Sequence, residues 1–337
     1  MKETIYIFSS GRFKKKDNTL LFIALPKSEN SKEMKRFIPV ERIKEIFIFG
    51  EVDLNKRVLE FLSQKEIILS YFNHYGWYMG SFYPREHYNS GFMIVKQVSA
   101  YENDEKRLFL AKSFIIGAAK NSLKILKYYN RREKNLSVNI EKINSLLESL
   151  ELKTTVETCM AIEAQIKKQY YNSFNEIINN REFTFTKRTK RPPQDYLNAL
   201  ISFSNSMIYR YVLGEIYKTH LDPRIGYLHS SNFRRFSLNL DVAEIFKPII
   251  GDRTIFSLLN KGIIKESSFE KDLNGIMLKE SAKKRFLQAF EERMKQTIKH
   301  SGLKRSVSYR RLIRLELYKL EKDLMNEKEY SPFVMDW

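Results

Sequence analysis

LFLAKSFIIGAAKNSLKILKYY, residues 108–129, places Leu108, Ala111, Ile115, Ala118, Ser122, Ile125 and Tyr129 three or four positions apart. That period lines them up on one face of a long helix. From about Val98 onward the same pattern recurs, over 138–180, 194–219, 238–247, 281–299 and 307–326. One interruption stands out at 272–278, where Asn274-Gly275 predicts a tight hairpin. Upstream the periodicity is different. Segments 4–8, 20–24, 36–40, 45–51, 67–72 and 77–83 are rich in Ile, Phe, Tyr and Val and are separated by turn material such as Ser9-Ser10-Gly11 and Asp17-Asn18. They read as short strands. A single helix fits 55–64, with Val58, Leu59 and Leu62 at helical spacing. The expected fold class is therefore α+β and multidomain. A small β-rich domain covers 1–85, a linker with an extended piece at 92–95 covers 86–97, and a larger all-α domain covers 98–337. The apolar segment 330–337 either packs back on the chain or docks on a partner.

Lys and Arg outnumber Asp and Glu by 59 to 40, a formal charge of +19. A field of that size favours a polyanionic partner, nucleic acid or an anionic membrane, although a generally Lys-rich proteome produces the same surplus. Cys159 is the only cysteine, which excludes an internal disulfide and a Cys-rich zinc site. No apolar run approaches the roughly 20 residues that span a bilayer, and Met1 leads directly into a strand-like segment. The expectation is a cytoplasmic protein with no membrane partner, so nucleic acid is the better candidate.

Four polar residues stand out. Glu163 lies within the stripe Leu152, Val156, Cys159, Ile166 and Tyr170, and a carboxylate there is costly unless a cation or strong donors meet it. His229 ends Gly226-Tyr227-Leu228-His229, just after Asp222-Pro223 breaks a helix. In the run Ser237–Pro248, Leu238, Val242, Ile245 and Phe246 mark the buried side of a short helix that Pro248 ends. Asp241 and Glu244 share another face at i and i+3. Each alone is as well explained by a structural role: an ion pair, a satisfied loop histidine, a solvated acidic face. Together they form an oxygen- and nitrogen-rich set suited to manganese or magnesium. Basic clusters surround them: Lys187, Arg188, Lys190 and Arg191, then Arg234 and Arg235, then Lys304, Arg305, Arg310, Arg311 and Arg314. Metal plus guanidinium groups is the combination that phosphodiester chemistry uses.

In this order the motifs resemble the CRISPR-associated endonuclease/integrase family that inserts new spacers into CRISPR arrays. Met160-Ala161-Ile162-Glu163 with Tyr170-Tyr171 is similar to its first acidic motif, and Arg191-Pro192-Pro193 through Phe203 to the segment before its histidine. Leu221-Asp222-Pro223 through His229 resembles the histidine motif, and Ser237 through Pro248 the second acidic one. Asp252-Arg253, Leu259-Asn260 with Gly262, and Pro332-Phe333 also fit. Two departures are Ala164-Gln165 after Glu163, where a Gly is common, and Lys167, where an Arg is frequent. The Lys-rich, helix-rich style resembles the type I-B branch.

The resemblance implies Mn2+ or Mg2+ on Glu163, His229 and Glu244, with Asp241 as an accessory carboxylate that positions the nucleophile or a second cation. It implies a homodimer through the β domains, a small ferredoxin-like CRISPR-associated partner, and double-stranded DNA as substrate. A prespacer 3′-hydroxyl would attack a repeat phosphodiester, with water as the alternative nucleophile at the same site. Arg188, Lys190, Arg191, Arg234 and Arg235 are the expected DNA contacts. The alternative from another class is a non-catalytic, basic nucleic-acid-binding scaffold in which the same carboxylates are ion-pair partners.

Overall fold

The computed structural model describes residues 2–26, 33–85, 88, 90–178, 180–230, 236–272, 275–300 and 302–336. Its chain divides into two units, Met1–His87 and Tyr88–Trp337.

The first unit is built from β1 (Glu3–Ile7), β2 (Gly11–Lys16), β3 (Thr19–Ala24), β4 (Met34–Pro39), β5 (Ile43–Ile48), β6 (Val52–Asp53), helix α1 (Lys56–Gln64), β7 (Ile68–Phe72) and β8 (Tyr78–Phe82). One sheet runs β1-β5-β7-β8, with β5 parallel to both β1 and β7. The other runs β4-β3-β2-β6. As a central parallel strand, β5 buries Ile43, Ile46, Phe47 and Ile48 in a nearly unbroken apolar run. Helix α1 begins where the Asn55 side chain accepts from the Val58 amide, and it turns Val58, Phe61 and Leu62 into a core shared with Phe13, Leu20 and Ile46. Strand β2 is not predicted by the sequence pattern. Only Phe13 and Gly11 face inward, and the run Lys14-Lys15-Lys16 hides the alternation. Its turn to β3 is the two-residue Asp17-Asn18, with Asp17 at φ 52°.

The second unit is helical: α2 (Gly91–Glu102), α3 (Asp104–Asn130), α4 (Ser137–Glu151), α5 (Val156–Asn172), α6 (Phe174–Ile178), α7 (Tyr196–Ile216), α8 (Ser237–Phe246) and α9 (Arg253–Asn260). The hairpin β9 (Phe269–Asp272)–β10 (Gly275–Leu278) follows, then α10 (Glu280–Lys295), a second hairpin β11 (Thr297–His300)–β12 (Arg305–Ser308), and α11 (Tyr309–Leu324). The β-then-helical organisation agrees with expectation, but three points are corrected. The segment read as an extended linker piece at 92–95 lies inside α2, because the Ser90 side chain caps the Met93 amide and starts a helix there. The C-terminal unit is not all-α: 297–300 pairs with 305–308 instead of extending α10. Pro248 does not end the chain's winding either. Beyond Phe246 the chain continues as a π-helical turn over Lys247–Asp252 and enters α9.

Helix α3 is the spine. The Asn103 side chain caps it at the Lys106 amide, and Asp104 and Glu105 complement its N-terminal dipole. Leu110, Phe114, Ile115, Ala119, Ile125 and Leu126 are buried along it, against α4, α5 and α8. The final segment packs back on this unit. Tyr330 is buried and donates its hydroxyl to Glu316, while buried Asn121 of α3 donates to both the Ile245 and Phe333 carbonyls.

Leu62 is fully buried in the core of the first unit. Leu62→Ala should destabilise that unit by about 2–5 kcal/mol. Urea unfolding of the full chain, followed by circular dichroism, should show an earlier transition.

Candidate metal centre

Helix α5 starts at Thr155, whose hydroxyl accepts from the Thr158 amide. Val156, Cys159, Ile162, Ile166 and Tyr170 form its buried stripe. Leu152, read as part of that stripe, instead lies beyond the helix and is 81% exposed. Glu163 sits at the stripe's edge with its side chain 12% exposed. Its Oε1 is met by the ammonium of Lys167, 2.6 Å away.

Glu244 is presented by α8, every turn of which is buried. His229 arrives on the loop that follows α7, and this loop is strapped to the start of α8. The buried Gln97 side chain accepts from the Asp222 amide and donates to the Asp222 carbonyl. Gly226 presses so close that a Cβ there would lie 2.5 Å from the Ser237 carbonyl carbon, so only glycine allows the approach. The Ser237 hydroxyl accepts from the Gly226 amide and donates to the Arg224 carbonyl.

Asp241, wholly buried, accepts from the amides of Tyr227, Leu228 and His229 and from the His229 ring at Nδ1, 2.7 Å away. Both its oxygens are therefore engaged behind the histidine. Expected to position a nucleophile or a second cation, Asp241 in the structure holds the histidine ring and its loop. With Nδ1–H held by a carboxylate, Nε2 is the free ligand atom.

Ligand atoms of Glu163, His229 and Glu244 all lie within 4.8 Å of one another. Two carboxylates and an imidazole suit a divalent cation such as Mn2+ or Mg2+. A cavity of about 30 Å³ adjoins them, lined among others by Lys167, Tyr170, Lys247 and Asp252.

Two lysines balance the acids. Lys167 Nζ is 2.6 Å from Glu163 and 3.0 Å from Glu244, and Lys247 Nζ is 2.6 Å from Glu244. Burial would raise the Glu244 carboxyl, but these ammonium groups hold it well below the usual carboxylate range. Burial likewise works to lower Lys167, and the two carboxylates outweigh it. Asp252 is different: burial pushes it up to about 7, and nearby Tyr170 and Lys247 offset this only in part. Residue-by-residue reading did not place Lys167, Lys247 and Asp252 in the site. The spacings Glu163 to Lys167 and Glu244 to Lys247, one helical turn each, carried the signal.

The basic residues separate into two groups. Lys190 is exposed, and its lowered pKa reflects burial of its ammonium followed by repulsion from Arg188, Lys247 and Lys167, which puts it at the rim of the site. Arg191 is exposed beside it. Arg188, an expected DNA contact, is committed inward to Asn198 and Ser202. Arg310 and Arg314 both donate to the buried Glu215, so they brace α11 against α7. Arg234 and Arg235 lie outside the described residues.

Residues 5–292 match the family profile described as CRISPR associated protein Cas1. The chain belongs to the Cas1 family. It is 56% identical to CRISPR-associated endonuclease Cas1 2 of Thermodesulfovibrio yellowstonii over 337 residues, the whole of both chains. Among solved structures, a Cas1 protein from Thermotoga maritima matches with TM-score 0.86 and 42% identity, covering 98% of this chain and 99% of that one. A casposase bound to integration product matches with TM-score 0.87, covering 99% and 93%; at 21% identity this shows a shared Cas1 fold only.

Asp252 gives a pH test. A buried acid with a raised pKa binds more protons folded than unfolded, so stability falls as pH rises from about 3.8 to about 7 and is level above. Asp252→Asn, unfolded with urea in chelator, should gain on the wild type through that window. A gap independent of pH would mean that Asp252 titrates normally.

Proposed function

We propose that this Cas1-family chain is a metal-dependent DNA endonuclease and integrase of CRISPR adaptation, active in the cytoplasm. It joins prespacer DNA to the repeat by attack of a 3′-hydroxyl on a phosphodiester, and the same site cuts DNA when water attacks. The observation that carries this reading is the convergence of Glu163, His229 and Glu244 from α5, the histidine loop and α8. A Mn2+ or Mg2+ ion held there would supply Lewis acidity and charge neutralisation for the reacting phosphate.

The protein's own residues do the rest. Asp241 holds the His229 ring at Nδ1, which leaves Nε2 as the nitrogen available to a metal. In the metal-free protein Lys167 and Lys247 hold the Glu244 carboxyl low, and Lys167 pairs with Glu163 as well. Lys190 and Arg191 at the rim hold the DNA backbone by charge-assisted hydrogen bonds. Family membership and a casposase of the same fold bound to integration product support strand transfer.

The partners we propose are double-stranded DNA, a second copy of the chain and a small ferredoxin-like CRISPR-associated protein. The β unit is the dimerising part. Its edge strand β4 exposes Met34 at 73% and Phe37 at 52%, apolar surface of the kind that association covers. Among the described residues no helix is long and apolar enough to cross a membrane.

Glu163→Ala, His229→Ala and Glu244→Ala should each lower nicking and strand joining by about a thousandfold while duplex binding persists. Gel assays with a repeat-containing duplex in Mn2+ or in chelator read this directly. Binding without metal-dependent nicking would favour the scaffold reading, for which the lysine–carboxylate pairs are the structural argument. Binding should also weaken steeply with salt, with a shallower slope in Lys190→Ala.

A further inference from the structure

The two carboxylates of the metal centre do not face each other directly. The ammonium of Lys167 bridges them, 2.6 Å from Glu163 Oε1 and 3.0 Å from Glu244 Oε1. Lys247 touches Glu244 alone. The lysines therefore differ in kind: Lys247 is a side partner, while Lys167 lies where a cation shared by both carboxylates would lie. Metal–oxygen distances for Mg2+ are about 2.1 Å. An ammonium within 3 Å of both acids would then be in near contact with the ion, two positive charges with little solvent between them.

Lys167 also has a way out. Its side chain is 33% exposed, whereas those of Glu163 and Glu244 are 12% and 7% exposed. The lysine stem leaves α5 one turn after Glu163, so its tip can swing outward without moving the helix. Lys190 is near enough for its ammonium and that of Lys167 to repel each other. We infer that Lys167 is an exchangeable internal counter-ion, which holds Glu163 and Glu244 together in the metal-free protein and yields its place to the divalent cation. This rests on the metal-site reading above. Once displaced, its ammonium joins Lys190 at the rim and increases the positive charge offered to a DNA phosphate. Metal and DNA then assist one another, each raising the affinity for the other by the same factor.

The test is direct Mn2+ binding to the full-length chain, read by the electron paramagnetic resonance signal of free Mn2+ and by calorimetry. Lys167→Met keeps the stem and removes the charge. It should bind Mn2+ roughly tenfold more tightly than wild type without DNA, a coupling of ordinary size. Lys167→Arg should bind no more tightly than wild type. Metal-free Lys167→Met should melt earlier than wild type, with Mn2+ raising its Tm by a larger increment. If that variant fails to fold, Lys167→Gln and the wild type serve: a short phosphorothioate duplex should tighten Mn2+ binding to the wild type and do so less in Lys167→Gln. Equal or weaker Mn2+ binding by the neutral variants, with no change in the DNA effect, overturns the counter-ion role. Glu163→Gln separates the two levels. If it binds Mn2+ as wild type does, the metal centre fails and the inference fails with it. If it loses binding while Lys167→Met gains nothing, only the inference fails.

Discussion

Two carboxylates that must stay ionised inside a protein repel each other and lose hydration, and the helical unit is arranged around meeting that cost. Lys167 and Lys247 are each placed by helical spacing one turn from the acid they neutralise, so the charge balance is written into α5 and α8 themselves. The remaining demand is that these two helices, far apart in sequence, be held on a common support, and both pack on α3. At Gly117, α3 comes close to α8 and to the final segment: a Cβ there would lie 2.7 Å from the Pro332 side chain and 3.3 Å from that of Ile245. The histidine is brought in by a third device, the carboxylate of Asp241 gathering the loop's amides and its imidazole at once.

Much of this was legible from residue order. The change from strand-like to helical periodicity after Pro84 marks the two kinds of architecture, and Glu163 stands out as a carboxylate within an apolar stripe, with His229 and Glu244 drawn in by the order of the motifs. What stayed hidden did so for local reasons. In β2 a run of lysines obscures a strand that faces its core with one aromatic residue. At 92–95 an apolar run is compatible with either strand or helix, and Ser90 decides it by capping an amide. Asp241 and Glu244 share a helix and a charge, yet one turns to the backbone of the histidine loop and the other to lysines. Only the path of the loop distinguishes them, and spacing alone carries no information about it.

The net charge was a blunter guide than its size suggested. Arg188, Arg310 and Arg314 are drawn inward by Asn198, Ser202 and Glu215, and Lys106 by Asp323. These cations brace the fold and contribute little to the surface that a polyanion meets. Lys190 is of the other kind, close enough to the centre to repel its lysines and still in reach of solvent.

Asn121 clasps Ile245 and Phe333 together. Phe246, two residues after Glu244, stacks on Phe333, so the helix bearing this candidate ligand is fixed by a segment that lies far from it in sequence. A chain cut short before Phe333 would carry every candidate ligand and lack the clasp on the helix that bears Glu244.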